Sequence, residues 1–195
     1  PFQPRLENGR RYHWLGARYS GHDPADPKTS EEEADADAAA RGQILLAEQG
    51  GDLYLLAFVR EPIPHVSEQA SVRLEHPLIG PLAEVGSVAY AVDRAYRLLS
   101  IGRSDLQVST AAQFSGPPLW GPQTVDDVAM VATEDDQLLC LDGSGQIRWR
   151  QPLPYGPLAG EPAVLGDRLI LASTTVTVWS VDRQTGAEVG SLAVG

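Results

Sequence analysis

An all-β fold of about four four-stranded antiparallel units is what three features of this 195-residue sequence predict. Paired apolar runs recur about every 40 residues. Turn formers bound each run, the chain holding 19 glycines and 15 prolines. Within the runs, apolar residues follow one another instead of alternating with polar ones, the mark of strands covered on both faces.

The repeat is clearest in three segments: Gly80-Pro81-Leu82-Ala83-Glu84-Val85, Gly121-Pro122-Gln123-Thr124-Val125 and Glu161-Pro162-Ala163-Val164-Leu165. Their prolines stand 41 and 40 residues apart. Each segment leads through a turn (Gly86-Ser87, Asp126-Asp127, Gly166-Asp167) into an apolar run: Val88–Val92, Val128–Ala132 and Leu169–Ala172. A second turn then gives another apolar strand, closing at Ile101, Leu141 and Val181 with a step of 40. An earlier copy runs through Ile44-Leu45-Leu46-Ala47, the turn Gly50-Gly51-Asp52 and Leu53-Tyr54-Leu55-Leu56; it lies 44 residues before Val88 and so carries a small insertion. Period, strand count and composition together predict a β-propeller, whose four-stranded antiparallel blades are sandwiched between neighbours. The chain reads as one partial propeller over 1–195, with blades at about 11–76, 77–115, 116–154 and 155–195. In the first blade Arg11–Tyr19 is the candidate innermost strand. An acidic, proline-containing insertion at 20–41 follows it, where Ser30 and the glutamates after it could cap a short helix.

A second pattern follows the third strand of each unit. The last copy reads Ser180-Val181-Asp182-Arg183-Gln184-Thr185-Gly186-Ala187-Glu188-Val189-Gly190, and the preceding copy reads Cys140-Leu141-Asp142-Gly143-Ser144-Gly145-Gln146-Ile147-Arg148-Trp149. An Asp-x-x-Thr-Gly stretch turns tightly, because glycine accepts positive φ and the aspartate bonds nearby amides. Asp142, Gly145, Trp149, Asp182, Thr185 and Gly186 are therefore the candidate structural motif residues. The pattern resembles the tryptophan-docking motif, Ala-x-Asp-x-x-Thr-Gly-x-x-x-Trp, of PQQ-like (quinoprotein-type) bacterial propeller repeats, which are WD40-like in architecture. This sequence departs from it at Gly190, which stands where Trp is expected, and at Ser100-Ile101-Gly102-Arg103-Ser104-Asp105, which lacks both Thr-Gly and Trp.

The resemblance implies two classes of function. Members similar to the outer-membrane assembly lipoprotein are non-catalytic, envelope-located scaffolds that hold proteins or other ligands. Others are quinone-dependent alcohol or sugar dehydrogenases that hold PQQ and calcium at the axis. The scaffold reading is favoured, with no cofactor, in a periplasmic or exported protein; PQQ and calcium belong to the alternative. Rings of this family carry seven or eight blades, so about four blades leave two apolar faces to cover. The remaining blades of a longer chain, a protein partner, or a second copy closing the ring as a homodimer would each do so. A smaller closed ring is a further outcome, and a fragment of a larger propeller is the preferred one.

Composition narrows the rest. A net charge of −11 disfavours nucleic-acid partners, and no apolar run reaches the length of a membrane span. Part of the charge is one run, Glu31-Glu32-Glu33 with Asp35 and Asp37, which reads as a solvated face. The single cysteine, Cys140, excludes an intrachain disulfide and reads as a small core residue. The N-terminus, Pro1-Phe2-Gln3-Pro4-Arg5, lacks an initiator Met and an apolar signal core and reads as a trimmed or processed end. His13, His22, His65 and His76 show no metal-ligand spacing, and no nucleophile elbow or phosphate loop occurs. Asp126-Asp127 and Glu134-Asp135-Asp136 flank opposite ends of one strand and read as turn residues. Trp120, entering an innermost strand, is the candidate for lining a central channel, with core packing as its alternative role.

Overall fold

The structure is a computed structural model that describes residues 12–13, 43–48, 50–59 and 62–194. Among them, sixteen strands form four four-stranded antiparallel sheets, each following chain order. The first sheet is β1 (Tyr12–His13), β2 (Gln43–Glu48), β3 (Asp52–Val59) and β4 (His65–Arg73). The second is β5 (Leu78–Val85), β6 (Val88–Asp93), β7 (Arg97–Gly102) and β8 (Val108–Gln113). The third is β9 (Trp120–Val125), β10 (Val128–Ala132), β11 (Gln137–Leu141) and β12 (Ile147–Pro152). The fourth is β13 (Ala163–Leu165), β14 (Arg168–Ala172), β15 (Thr177–Asp182) and β16 (Glu188–Ala193). No helix occurs among the described residues, and so none long and apolar enough to cross a membrane.

The chain forms two compact units, residues 1–77 with 103–106, and residues 78–102 with 107–195. The first holds the first sheet, where Leu45, Ala47, Leu53 and Leu55 are buried and Arg73 pairs with Asp52 at 2.7 Å. Of the candidate innermost strand Arg11–Tyr19, Tyr12 and His13 pair with Glu48 and Ala47 of β2. The other residues of that segment, the acidic run and the short helix expected from Ser30 lie outside the described residues.

In the second unit the repeat is legible in the backbone even where residue types differ. Positive φ recurs at Gly86, Asp126 and Gly166 between the first and second strands of each sheet, and at Tyr96, Asp136 and Val176 between the second and third. Both series advance in steps of 40 residues. The first series makes two-residue turns that match the twist of the strands they join, and the second lies in turns of three or four residues, each ending at the left-handed position. A buried oxygen supports the second turn each time. Asp93 Oδ1 accepts the Arg97 N–H at 2.9 Å, Thr133 Oγ1 accepts the Gln137 N–H at 3.2 Å, and Ser173 Oγ accepts the Thr177 N–H at 3.1 Å. Three residue types thus satisfy the same buried amide, which would otherwise lose its hydrogen bond to water without replacement.

Two apolar layers hold the three sheets of this unit together. Tyr90, Val92 and Leu98 of the second sheet pack against Ala129, Val131, Leu139 and Leu141 of the third. The opposite face of the third sheet, with Val128, Met130, Leu138 and Cys140, packs against Leu169, Leu171, Trp179 and Val181 of the fourth. Alternate residues of β10 thus enter different layers, which explains why every residue of β10 is buried; every residue of β6 is buried too. Covering each large side chain stabilises by about 1.5–3 kcal/mol. The fourth sheet differs: in β14 buried residues alternate with exposed or half-buried ones, so two-sided burial holds for the second and third sheets and one-sided burial for the fourth.

Val176 combines a φ of 64° with 57% exposure. A β-branched side chain is costly in that region, by about 1–2 kcal/mol, and glycine there gives back about 0.5–1 kcal/mol through chain entropy. Val176→Gly is therefore expected to stabilise the protein by about 0.5–1 kcal/mol, read as a higher urea midpoint at unchanged m-value. A lowered midpoint would mean that the turn does not hold this residue left-handed.

Candidate functional site

The motif residues of the third and fourth sheets meet at the seam between them. Strand β15 ends at Asp182, whose Oδ1 accepts the N–H of Gln184 at 3.0 Å, the N–H of Thr185 at 2.8 Å and the Thr185 hydroxyl at 2.8 Å. The Gly186 N–H donates to the Asp182 carbonyl at 2.8 Å and closes the turn, with φ at 71°. Trp149, in β12, lies on this turn. Its Nε1 donates to the Arg183 carbonyl at 3.0 Å, and a Cβ on Gly186 would stand 2.6 Å from the indole ring. Glycine is thus required twice at 186, by the backbone conformation and by the ring above it. Beside it, Gln151 Nε2 donates to the Thr185 carbonyl at 3.3 Å.

A second tie crosses the same seam. Arg183, one residue past Asp182, donates to Asp126 Oδ2 at 2.6 Å and also to the Asp127 carboxylate. Asp126 and Asp127 are turn residues, as the sequence indicates, but the ion pair with a residue 57 positions away has no local signature.

The seam between the second and third sheets uses other chemistry. Asp142 Oδ1 accepts the Ser144 N–H at 2.8 Å and the Ser144 hydroxyl at 2.6 Å, so Ser144 does here what Thr185 does in the next copy. No tryptophan crosses to this turn, because β8 pairs Ser109 with Ser100 where β12 pairs Trp149 with Cys140. Instead, Tyr90, fully buried in β6, donates its hydroxyl to the Asp142 carbonyl at 2.5 Å. A Cβ on Gly145 would lie 2.9 Å from Ser100 Oγ. Nearer the first strands, the Thr124 hydroxyl accepts the Glu84 N–H at 2.9 Å and donates to the Glu84 carbonyl at 3.0 Å.

Electrostatics follow these contacts. The Thr185 hydroxyl, then the backbone amides, hold the Asp182 carboxyl below the usual carboxylate range, and the Ser144 hydroxyl does the same for Asp142. Burial, then the nearby Asp142 charge, pushes the Tyr90 hydroxyl up to about 12. Burial likewise pushes the Cys140 thiol up to about 12, which leaves it protonated and unreactive.

A cleft of about 90 Å³ opens at the outer end of the Trp149 seam, lined by Leu138, Trp149, Leu153, Trp179, Gly186 and Glu188 among others. Tyr155 stands beside it, its ring 5.4 Å from that of Trp179 and its hydroxyl donating to Glu188 Oε1 at 2.8 Å. Trp120, the first residue of β9, is half-buried and packs against the layer between the third and fourth sheets. Among the described residues, no three His, Cys, Asp or Glu side chains converge on a common point. Asp142 and Asp182 spend Oδ1 on their own turns.

Trp149→Ala is expected to destabilise the protein by about 3–5 kcal/mol, and Tyr90→Phe by about 1 kcal/mol, in urea unfolding. Equal costs would contradict the assignment of the indole as the larger anchor. Because Asp142 and Asp182 titrate lower when folded, their contribution is present above the unfolded carboxylate range and is lost as the pH falls through the folded values. The urea midpoint is accordingly expected to drop on acidification below about pH 4, and less steeply in Asp182→Asn. An unchanged slope in that variant would remove Asp182 from the account.

The comparisons with known proteins agree with this geometry. Residues 85–190 match the family of PQQ-like repeats described as outer membrane protein assembly factor BamB. No curated protein sequence matches the chain. Among solved structures, BamB from Moraxella catarrhalis is similar with a TM-score of 0.57 at 18% identity, over 79% of this chain and 46% of that one. Apo AztD from Citrobacter koseri is similar with a TM-score of 0.59 at 15% identity, over 78% of this chain and 44% of that one. This chain thus spans less than half the length of either structure, and at these identities the likeness shows the fold alone. The four sheets are four propeller blades, and the chain belongs to the PQQ-like repeat family described as outer membrane protein assembly factor BamB.

Proposed function

We propose that this chain is a non-catalytic propeller scaffold of the cell envelope that holds a protein partner. The observation that supports this reading is where the motif spends its polar atoms. The aspartates, the Thr185 and Ser144 hydroxyls, the indole N–H and the Arg183 guanidinium all bond within turns or across seams. Their chemistry builds a rigid frame, and a rigid frame serves recognition by loops and faces. The family description, an outer-membrane assembly factor, points to a protein partner and an exported location. Trp120, the first residue of the innermost strand β9, is proposed to line the central channel.

Two experiments test the reading. Affinity capture with cross-linking from envelope extract is expected to recover one envelope protein in stoichiometric amount; recovery of none would contradict the scaffold. Incubation with PQQ and calcium, followed by a dye-linked alcohol or sugar assay, is expected to show no turnover. Reproducible turnover would establish the dehydrogenase alternative.

A further inference from the structure

The cleft at the Trp149 seam lies between the third and fourth sheets, and its walls differ from its mouth. Trp149, Trp179, Leu138 and Leu153 line it, all of them buried and packed in one layer. The indole N–H of Trp149 is spent on the Arg183 carbonyl, so that residue offers the cleft its ring alone. Glu188, exposed, is the one charged residue of the lining.

The Glu188 carboxylate is held in place. The Tyr155 hydroxyl donates to its Oε1 at 2.8 Å and also stands 2.9 Å from Ser191 Oγ. Tyr155 is itself fixed, its ring tilted against that of Trp179 and its carbonyl accepting the Thr175 hydroxyl at 2.6 Å. Yet Glu188 makes no ion pair among the described residues. Arg150 sits between the lining residues Trp149 and Gln151, but strand alternation turns it to the other face, where it pairs with Leu139 of the layer toward the second sheet. Arg183 is engaged by Asp126 and Asp127.

We propose that this cleft receives one cationic side chain, a lysine or arginine of the protein partner. The proposal rests on reading the chain as a scaffold for a protein, and it names the chemistry of the contact. Size and charge both select this occupant. The cleft holds about 90 Å³, too little for a drug-sized ligand but enough for one long side chain. An aliphatic stem packs on Leu138 and Leu153, while the charge lies among aromatic rings and meets the carboxylate. An acidic side chain is repelled by Glu188, and a purely apolar one strips water from that carboxylate without replacing it. A net charge of −11 steers a basic segment toward the protein.

The test is titration of the whole chain with four short peptides, followed through the indole N–H resonances of Trp149 and Trp179. Their central residue is lysine, arginine, norleucine (the lysine stem without its charge) or proline. The lysine and arginine peptides are expected to shift both resonances, and the other two to leave them unmoved. Glu188→Gln keeps an acceptor for Tyr155 and is expected to weaken the cationic peptides by about threefold to fivefold, as loss of one partly solvated ion pair does. Glu134→Gln, at an exposed turn, is expected to change nothing. No shift with either cationic peptide would overturn the proposal. Equal shifts from norleucine or proline would do so by making the cleft an apolar or proline-binding groove, and equal weakening by Glu134→Gln would reduce the effect to overall charge. The peptides need no envelope protein, so capture of a partner without any peptide response would sink the cleft alone and leave the scaffold reading standing.

Discussion

Burial of the central strands from both sides is the constraint on which this structure depends. A sheet whose two faces are apolar is insoluble alone and becomes stable when a neighbour covers each face. The third sheet meets that condition on both sides within residues 78–194, with β10 sending alternate side chains into two layers. Seams between sheets thereby take the place of a single core, and each seam needs a means of holding its register.

The two seams seen here solve that problem differently. One uses a tryptophan from an outermost strand on a glycine turn, helped by an arginine between two aspartates. The other uses a tyrosine from a second strand that reaches the equivalent turn through its hydroxyl. The magnitudes rank these devices. A buried indole carries about 3–5 kcal/mol of packing, a single neutral hydrogen bond about 1 kcal/mol, and a partly solvated ion pair up to about 1 kcal/mol. The drift of the motif in the second repeat is thus compensated at the same turn by a different residue on a different strand.

Much of the fold was legible in the sequence because turns enforce it. Gly86, Asp126 and Gly166 punctuate the chain at a constant step, and residues able to adopt positive φ are few enough to stand out. The docking turn at Asp182, Thr185 and Gly186 was legible for the same reason, since its bonds join residues within four positions. Apart from the Trp149 dock, which the motif itself implies, contacts across a seam were not. Tyr90 and Asp142 are 52 residues apart, and nothing local to either marks the pair. The buried oxygens of Asp93, Thr133 and Ser173 leave no sequence pattern either, because the requirement is for an acceptor and three side chains supply it equally. The apolar pattern of the last repeat read like the others, whereas one of its faces is uncovered among the described residues; a pattern records the need for a neighbour without supplying one.

Native-state hydrogen exchange across residues 78–194 tests the two-sided layering most directly. Amides of β10 and β11 are covered on both faces and are expected to exchange only through global unfolding, while those of the outer strand β12 exchange through smaller openings at lower free energy. Exchange from β10 and β11 as rapid as that from β12 would contradict the layered arrangement and, with it, the role assigned to the seams.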